Sequence, residues 1–183
     1  MEKRSIVLMS GGIDSTACAR FLRERGDSVS GICFDYGQKA ARFERESASR
    51  LSSFLEIPLR TVSVALPTPF GAGELVGRNA FLVFAAMMTC QLRSGLIALG
   101  IHSGASYYDT TLAFLQSADR VVAEYTDGQV RLVAPFISWS KKNIFDYYTA
   151  SGLPVEMTYS CEAGEMPPCG NCLSCRDRRL LGC

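Results

Sequence analysis

Apolar positions along this chain fall into short continuous runs and into helical stripes, and the two alternate. Ile6-Val7-Leu8-Met9 is an unbroken apolar run of strand length, the pattern of a strand covered on both faces. Ala17 to Arg25 reads as a helix ended by Gly26, and Val29 to Phe34 as a second strand. Ala40 to Leu55 sets Phe43, Ser47, Leu51 and Phe54 or Leu55 on one face with charges opposite, a helical spacing. Pro58 stops that helix, and Leu59 to Ala65 predicts a third strand. Pro67 to Asn79 is rich in proline and glycine and reads as a loop. A strongly apolar helix follows over 80–93, with Gly95 at its end, then a fourth strand over 96–100. A second loop, Ile101 to Asp109, leads into a helix over 110–123. Val130 to Ala134 is the fifth strand, stopped by Pro135. Ser140 to Ser151 is the last long helix, ended by Gly152 and Pro154.

Strands separated by helices imply right-handed crossovers. The expected fold is therefore α/β: a doubly wound, mainly parallel, five-stranded sheet. Ligands in such sheets bind beyond the carboxyl ends of the strands. The pattern assigns residues 1–158 to one sheet domain and 159–183 to a cysteine-bearing tail packed on it.

With 183 residues, 48% of them hydrophobic, the chain suits one domain with an ample core. Nineteen Lys and Arg against eighteen Asp and Glu leave a net charge of +1. No global field favours nucleic acid or a membrane surface, so stable nucleic-acid binding is not expected. No apolar run approaches the roughly 20 residues needed to span a bilayer, and none resembles a signal peptide. A cytoplasmic protein is expected. Of eight cysteines, Cys18, Cys33, Cys90 and Cys183 are scattered and read as reduced thiols.

The other four, Cys161, Cys169, Cys172 and Cys175, follow C-x7-C-x2-C-x2-C. Four local thiolates can close a tetrahedral shell, which suits structural Zn²⁺. Gly170 allows the tight turn between two of them, and Pro167-Pro168 stiffens the approach. The tail is too short to bury a core, so a metal would supply its folding energy. Disulfides fit poorly without an export signal. An iron–sulfur cluster is the sharper competitor, since the two-residue gaps echo part of the ferredoxin run.

The stretch Ser10-Gly11-Gly12-Ile13-Asp14-Ser15-Thr16 ends the first strand and opens a helix. Such a turn leaves backbone N–H groups pointing outward with the positive helix end behind them, an anion cradle. Ser10, Ser15 and Thr16 add hydroxyl donors. The spacing is not the Walker form, which needs four residues between its glycines and a lysine before the Ser/Thr. Taken alone, Gly-Gly-x-Asp could be a turn, with Asp14-Ser15 an ordinary helix cap. S-G-G-x-D-S after the first strand resembles the PP-loop of ATP pyrophosphatases, which implies ATP bound by its pyrophosphate and an adenylated substrate.

With the tail placed as well, the chain is similar to the 7-cyano-7-deazaguanine synthase family, QueC, over nearly its whole length. Phe34-Asp35-Tyr36-Gly37-Gln38, Gly77-Arg78-Asn79, Ser140-Lys141, Ser160-Cys161 and the run from Cys169 to Arg178 match the family's motifs in order. The resemblance implies adenylation of the carboxylate of 7-carboxy-7-deazaguanine, attack by ammonia to give an amide, and a second activation that dehydrates it to a nitrile. It implies ATP, Mg²⁺ and Zn²⁺ as cofactors, and a homodimer. Ser10, Gly11, Gly12, Asp14, Ser15, Thr16, Phe34 and Lys141 are the candidate nucleotide contacts. Asp14, Ser15, Lys141 and Arg78 are the catalytic candidates. Tyr36, Gln38, Arg78, Asn79, His102 and Asp109 are the substrate candidates. Read without the family, Asp35-Tyr36-Gly37 is a turn after a strand, and Asn79 an N-cap for a helix at Ala80. His102 is the sole histidine.

The chain departs from the family after the fourth strand. The loop is shorter, lacks the family's early Asp, keeps Asp109, and has Thr110-Thr111 where the family has Cys-Arg. This leaves the acceptor open between ammonia and a protein or other amine, as in QueC-like relatives from prokaryotic defence gene clusters. A zinc-stabilised nucleotide-binding scaffold without activity is the non-enzyme alternative.

Overall fold

The architecture is that of a computed structural model, which describes residues 3–65, 70, 75–102, 104 and 107–183. Five parallel strands form one sheet: β1 (Arg4–Leu8), β2 (Ser28–Asp35), β3 (Leu59–Ser63), β4 (Gly95–Ala98) and β5 (Val130–Val133). Their order is β3-β2-β1-β4-β5. The chain winds outward from β1 to β3, then returns to place β4 on the other side of β1. The order reverses between β1 and β4, so a crevice opens at the carboxyl ends of these two strands. In β1, Ser5 to Leu8 are all buried, as the unbroken apolar run requires.

Helices α1 (Ile13–Glu24), α2 (Ala41–Phe54), α3 (Arg78–Cys90), α4 (Leu112–Tyr125) and α5 (Lys141–Ala150) connect and follow the strands. One core lies under α1, α2 and α5, with Ala17, Leu22, Leu51, Ile144 and Tyr148 buried against Val7 and Ala98. The second lies under α3 and α4, with Val83, Ala86, Phe114 and Val122 against Ile6, Ile32 and Ile97. Alternate residues of the same strands thus feed opposite layers. At the end of α2 the stripe resolves to Leu55, which is buried, while Phe54 points outward.

Element boundaries moved where backbone chemistry outranked the apolar pattern. Helix α1 starts four residues before the expected Ala17, because Gly12 takes an extended backbone as its N-cap. Asp14 and Ser15 therefore lie inside the first turn and do not cap it. Helix α3 starts at Arg78, so Asn79 is its second residue rather than its cap. The tail carries a helix, α6 (Leu173–Leu181), which the cysteine pattern had hidden. Within the expected loop over 67–79, residues 67–69 and 71–74 lie outside the described residues; so do Ser103, Ala105 and Ser106 of the loop after β4.

Candidate active site

The glycine turn sits at the head of β1 with its floor held by two other segments. Gly11 has a left-handed backbone, φ +76°. Its carbonyl accepts the Tyr159 amide at 3.0 Å and the Ser47 hydroxyl at 2.9 Å. The same hydroxyl reaches the Met157 carbonyl. A Cβ on Gly11 would lie 2.7 Å from Ala48 N, Glu44 O and Ser47 Cβ, so the turn rests directly on the backbone of α2. No side chain caps α1. The amides of its first turn stay open to an anion, with the positive end of the helix behind them.

The hydroxyls divide between structure and site. Thr16 is fully buried, and its Oγ1 donates to the Gly12 carbonyl at 2.8 Å, which locks the turn. Ser15 Oγ lies 3.3 Å from the same carbonyl and accepts the Ser10 amide at 3.3 Å. The Ser10 hydroxyl, on an exposed residue, lies 3.4 Å from Ser15 Oγ.

Lys141 opens α5, whose N-cap Ser140 accepts the Asn143 amide at 3.1 Å. Its Nζ lies 2.5 Å from Asp14 Oδ2, with the two side chains about a quarter exposed. Asp14 Oδ1 is buried and has no hydrogen-bond partner among the described residues. His102, at the exit of β4, belongs to the same group. Burial pushes its pKa down; Asp14 opposes this, Lys141 reinforces it, and Asp177 of α6 opposes it. Asp14, Lys141 and His102 are thus gathered from three separate elements.

A second polar group lies at the head of β2. Gln38 organises it: its Oε1 accepts the Tyr36 amide at 2.9 Å, and its Nε2 donates to the Phe34 carbonyl at 2.9 Å and to Glu44 Oε2 at 2.8 Å. Tyr36 is buried against Phe70 and Phe81. Burial raises its pKa and the nearby Arg78 charge pulls it back. The Phe34 side chain is packed in the core under α3 and α4, which leaves its carbonyl as its polar contribution. Arg78 is exposed at the first turn of α3. Asn79 and Asp109 bond to each other: Asp109 Oδ2 accepts the Asn79 amide and the Asp109 carbonyl accepts Asn79 Nδ2, both at 3.0 Å. In this arrangement the pair ties the start of α3 to the turn before α4.

The four tail cysteines converge, with all four sulfurs within 4.8 Å of one another. Backbone amides point at the sulfurs: Cys169 N to Cys161 Sγ at 3.3 Å and Cys172 N to Cys169 Sγ at 3.4 Å. Against the upward push of burial, amides of Cys169, Glu165 and Ala163 hold the Cys161 thiol down at about 6. Burial and the neighbouring thiols push Cys175 up to about 12. Four sulfurs this close cannot all ionise without a cation between them. The donor set fits a tetrahedral metal ion. The tail packs on α2 through Tyr159, whose ring stacks on Phe43 at 4.9 Å.

Three contributors escaped the motif reading. Glu44 closes the Gln38 group, and burial holds its carboxyl above the ordinary range despite Gln38 and Arg78. Its place on an amphipathic helix looks like any solvated charge. Ser47 lies on the buried stripe and gave no sign that its hydroxyl clamps Gly11. Asp177 follows the cysteine run, where the spacing of the cysteines dominates the pattern.

Comparison with known proteins places the chain in a family. The family described as "Queuosine biosynthesis protein QueC" matches residues 4–79 and 73–180. A 7-cyano-7-deazaguanine synthase of Methanothermobacter thermautotrophicus is 31% identical, over 96% of this chain and 92% of its own. One from Prochlorococcus marinus is also 31% identical, over 97% of this chain and 92% of its own. Among solved structures, a 4-thiouridine synthetase–RNA complex with bound ATP superposes with a TM-score of 0.62 at 18% identity, over 85% of this chain and 42% of that one. The U34-tRNA thiolase NcsA of Methanococcus maripaludis, with its [4Fe-4S] cluster, gives 0.56 at 12% identity, over 99% and 73%. These distant likenesses establish the PP-loop type of fold. The sequence matches reach further: this chain belongs to the QueC family of queuosine-biosynthesis proteins.

Proposed function

We propose that the chain uses ATP to activate the carboxylate of 7-carboxy-7-deazaguanine, releasing pyrophosphate, and then forms a C–N bond to give an amide or nitrile. The observation that carries this reading is the uncapped N-terminus of α1, opened by Gly11-Gly12 at the sheet's switch point beside the Lys141–Asp14 pair. The substrate carboxylate attacks the α-phosphorus of ATP and pyrophosphate leaves. Charge then grows on the departing oxygens. The open amides at the start of α1 and the Ser10 hydroxyl would receive it, in the manner of preorganised electrostatic stabilisation. Lys141 adds a point charge, released from Asp14 when the phosphates arrive. Ammonia displaces AMP and loses a proton to give the amide; a second ATP then adenylates the amide oxygen, which leaves with AMP as the nitrile forms.

Asp14 Oδ1, buried and without a hydrogen-bond partner among the described residues, is the oxygen suited to hold Mg²⁺ or its bound water, since an orphaned carboxylate oxygen is costly. Bound there, Mg²⁺ would neutralise phosphate charge. Cys161, Cys169, Cys172 and Cys175 would hold Zn²⁺, whose contribution is folding energy for the tail. Tyr36, Gln38, Glu44 and Arg78 form the polar wall where a base is best read.

Incubation with ATP, Mg²⁺, 7-carboxy-7-deazaguanine and ammonium tests the reading. AMP and pyrophosphate should appear with an amide or nitrile by mass spectrometry; ADP and phosphate would refute it. A second reading keeps the activation and changes the acceptor to a protein or other amine. Thr110 and Thr111, which replace the family's Cys-Arg pair, favour it. Their hydroxyls turn back to the carbonyls of Tyr107 and Tyr108 at 2.7 Å. Intact-mass analysis of candidate acceptor proteins, supplied in place of ammonium, separates the two.

A further inference from the structure

His102 is held in one tautomer by the loop that follows it. The Gly104 amide donates to His102 Nδ1 at 3.0 Å. A nitrogen that accepts carries the lone pair, so the proton of the neutral ring sits on Nε2. The approach is close: a Cβ on Gly104 would lie 2.9 Å from both Nδ1 and Cε1 of the imidazole. Glycine at 104 is what lets the backbone cover that edge of the ring. Nε2 has no protein hydrogen-bond partner among the described residues.

The ring is also placed. The exit of β4 runs against the first turn of α1, where a Cβ on Gly100 would lie 2.7 Å from the Asp14 carbonyl and from Ser15 N. His102 comes two residues later and shares the electrostatic surroundings of Asp14 and Lys141, to which Asp177 of α6 also contributes. Among the described residues, an open N–H therefore stands at the exit of β4, in the surroundings of Asp14 and Lys141.

Resting on the activity proposed above, we infer that His102 is a catalytic residue that acts as a neutral hydrogen-bond donor. Its Nε2–H bonds an oxygen of the acyl phosphate as negative charge develops there. It is not the base that deprotonates the attacking amine, because its one accepting nitrogen is already taken by Gly104. A second cation beside Lys141 would be costly, whereas a neutral N–H stabilises an oxyanion without adding charge. Asp14 and Asp177 pull toward the imidazolium; burial and Lys141 pull the other way.

His102 is the only histidine in the chain, so untagged protein carrying ¹⁵N-histidine gives a single imidazole pattern. At pH 7.5 the expected spectrum has the proton on Nε2 and an unprotonated Nδ1. Kinetics supply the second readout. His102→Gln, whose amide can place an N–H near Nε2, should keep AMP formation within a few fold of wild type. His102→Ala and His102→Asn should lose roughly ten- to a hundred-fold, the scale of one hydrogen bond to a charged group. A proton on Nδ1, an imidazolium at pH 7.5, or a His102→Gln as slow as His102→Ala would overturn the donor and leave the activity standing. A wild-type chain that makes no AMP from the acid overturns the activity and the donor with it.

Discussion

If the proposed function holds, two adjacent glycines separate holding the fold from holding the phosphates. Replacing Gly11 with alanine demands a left-handed backbone from a residue with a Cβ, at φ +76°, which costs about 1–2 kcal/mol. The new methyl would also meet Ala48 N, Glu44 O and Ser47 Cβ at 2.7 Å. Two of these are backbone atoms of α2 and cannot swing aside, so overpacking adds about 1–3 kcal/mol. The sum, about 2–5 kcal/mol, is a large part of a typical domain stability of about 5–15 kcal/mol. At about 2–4 °C per kcal/mol for a chain of this size, Tm should fall by roughly 4–20 °C. Gly12→Ala is the control. Its backbone is extended, φ −85°, and the added methyl meets only Ser10 Oγ at 3.5 Å and the Tyr159 carbonyl at 3.7 Å, both ordinary contacts. Losing glycine at an N-cap costs about 1 kcal/mol, yet the methyl stands in the proposed phosphate cradle. Thermal unfolding by circular dichroism and AMP formation are measured on both variants. The expected result is an unstable Gly11→Ala and a folded Gly12→Ala with little activity. Wild-type Tm in Gly11→Ala, or undiminished turnover in Gly12→Ala, would refute the reasoning.

Other expectations follow from the same geometry. Glu44 is held above the ordinary carboxylate range by burial, so its protonated form favours the fold. Its contribution is present below about pH 4.3, the unfolded value, and is lost as pH rises through the raised folded value. Glu44→Gln should therefore gain Tm over wild type at pH 7 more than at pH 5; parallel Tm–pH curves would contradict this. Asp109→Ala should remove a helix-start acceptor, costing about 0.5–2 kcal/mol, while Asp109→Asn keeps most of the stability; a change in KM with no change in Tm would reassign Asp109 to the substrate. Metal analysis of the purified chain should find one zinc per chain, with Cys161→Ser and Cys169→Ser losing both the metal and protease resistance of 159–183. A brown protein with iron and sulfide would contradict the zinc assignment.

The sheet was readable because short apolar runs such as Ile6–Met9 and Leu96–Leu99 alternate with helical stripes, and the turn at Gly11-Gly12 because glycine is a backbone signal. The convergence of the four tail cysteines was readable from local spacing alone. Other features needed the fold. Asn79 and Asp109 are 30 residues apart in sequence, and nothing in either motif says that they bond to each other. The Lys141–Asp14 contact spans 127 residues, so proximity came from the sheet order and from α5 starting at its cap. Thr16 looked like a phosphate ligand because its hydroxyl follows the glycines; once α1 is extended to Ile13, that hydroxyl is directed back to Gly12. Helix α6 was hidden because Cys172 and Cys175 satisfy a metal-site pattern and a helical turn at once.

The central claim is that a carboxylate is handed AMP at the head of β1. The most direct measurement uses 7-carboxy-7-deazaguanine labelled with ¹⁸O in its carboxylate, incubated with ATP, Mg²⁺ and ammonium. Mass spectrometry of the nucleotide products should show one ¹⁸O in AMP and none in pyrophosphate, since the attacking oxygen stays on the α-phosphorus when AMP departs. Label in inorganic phosphate, with ADP as the nucleotide product, would contradict the account.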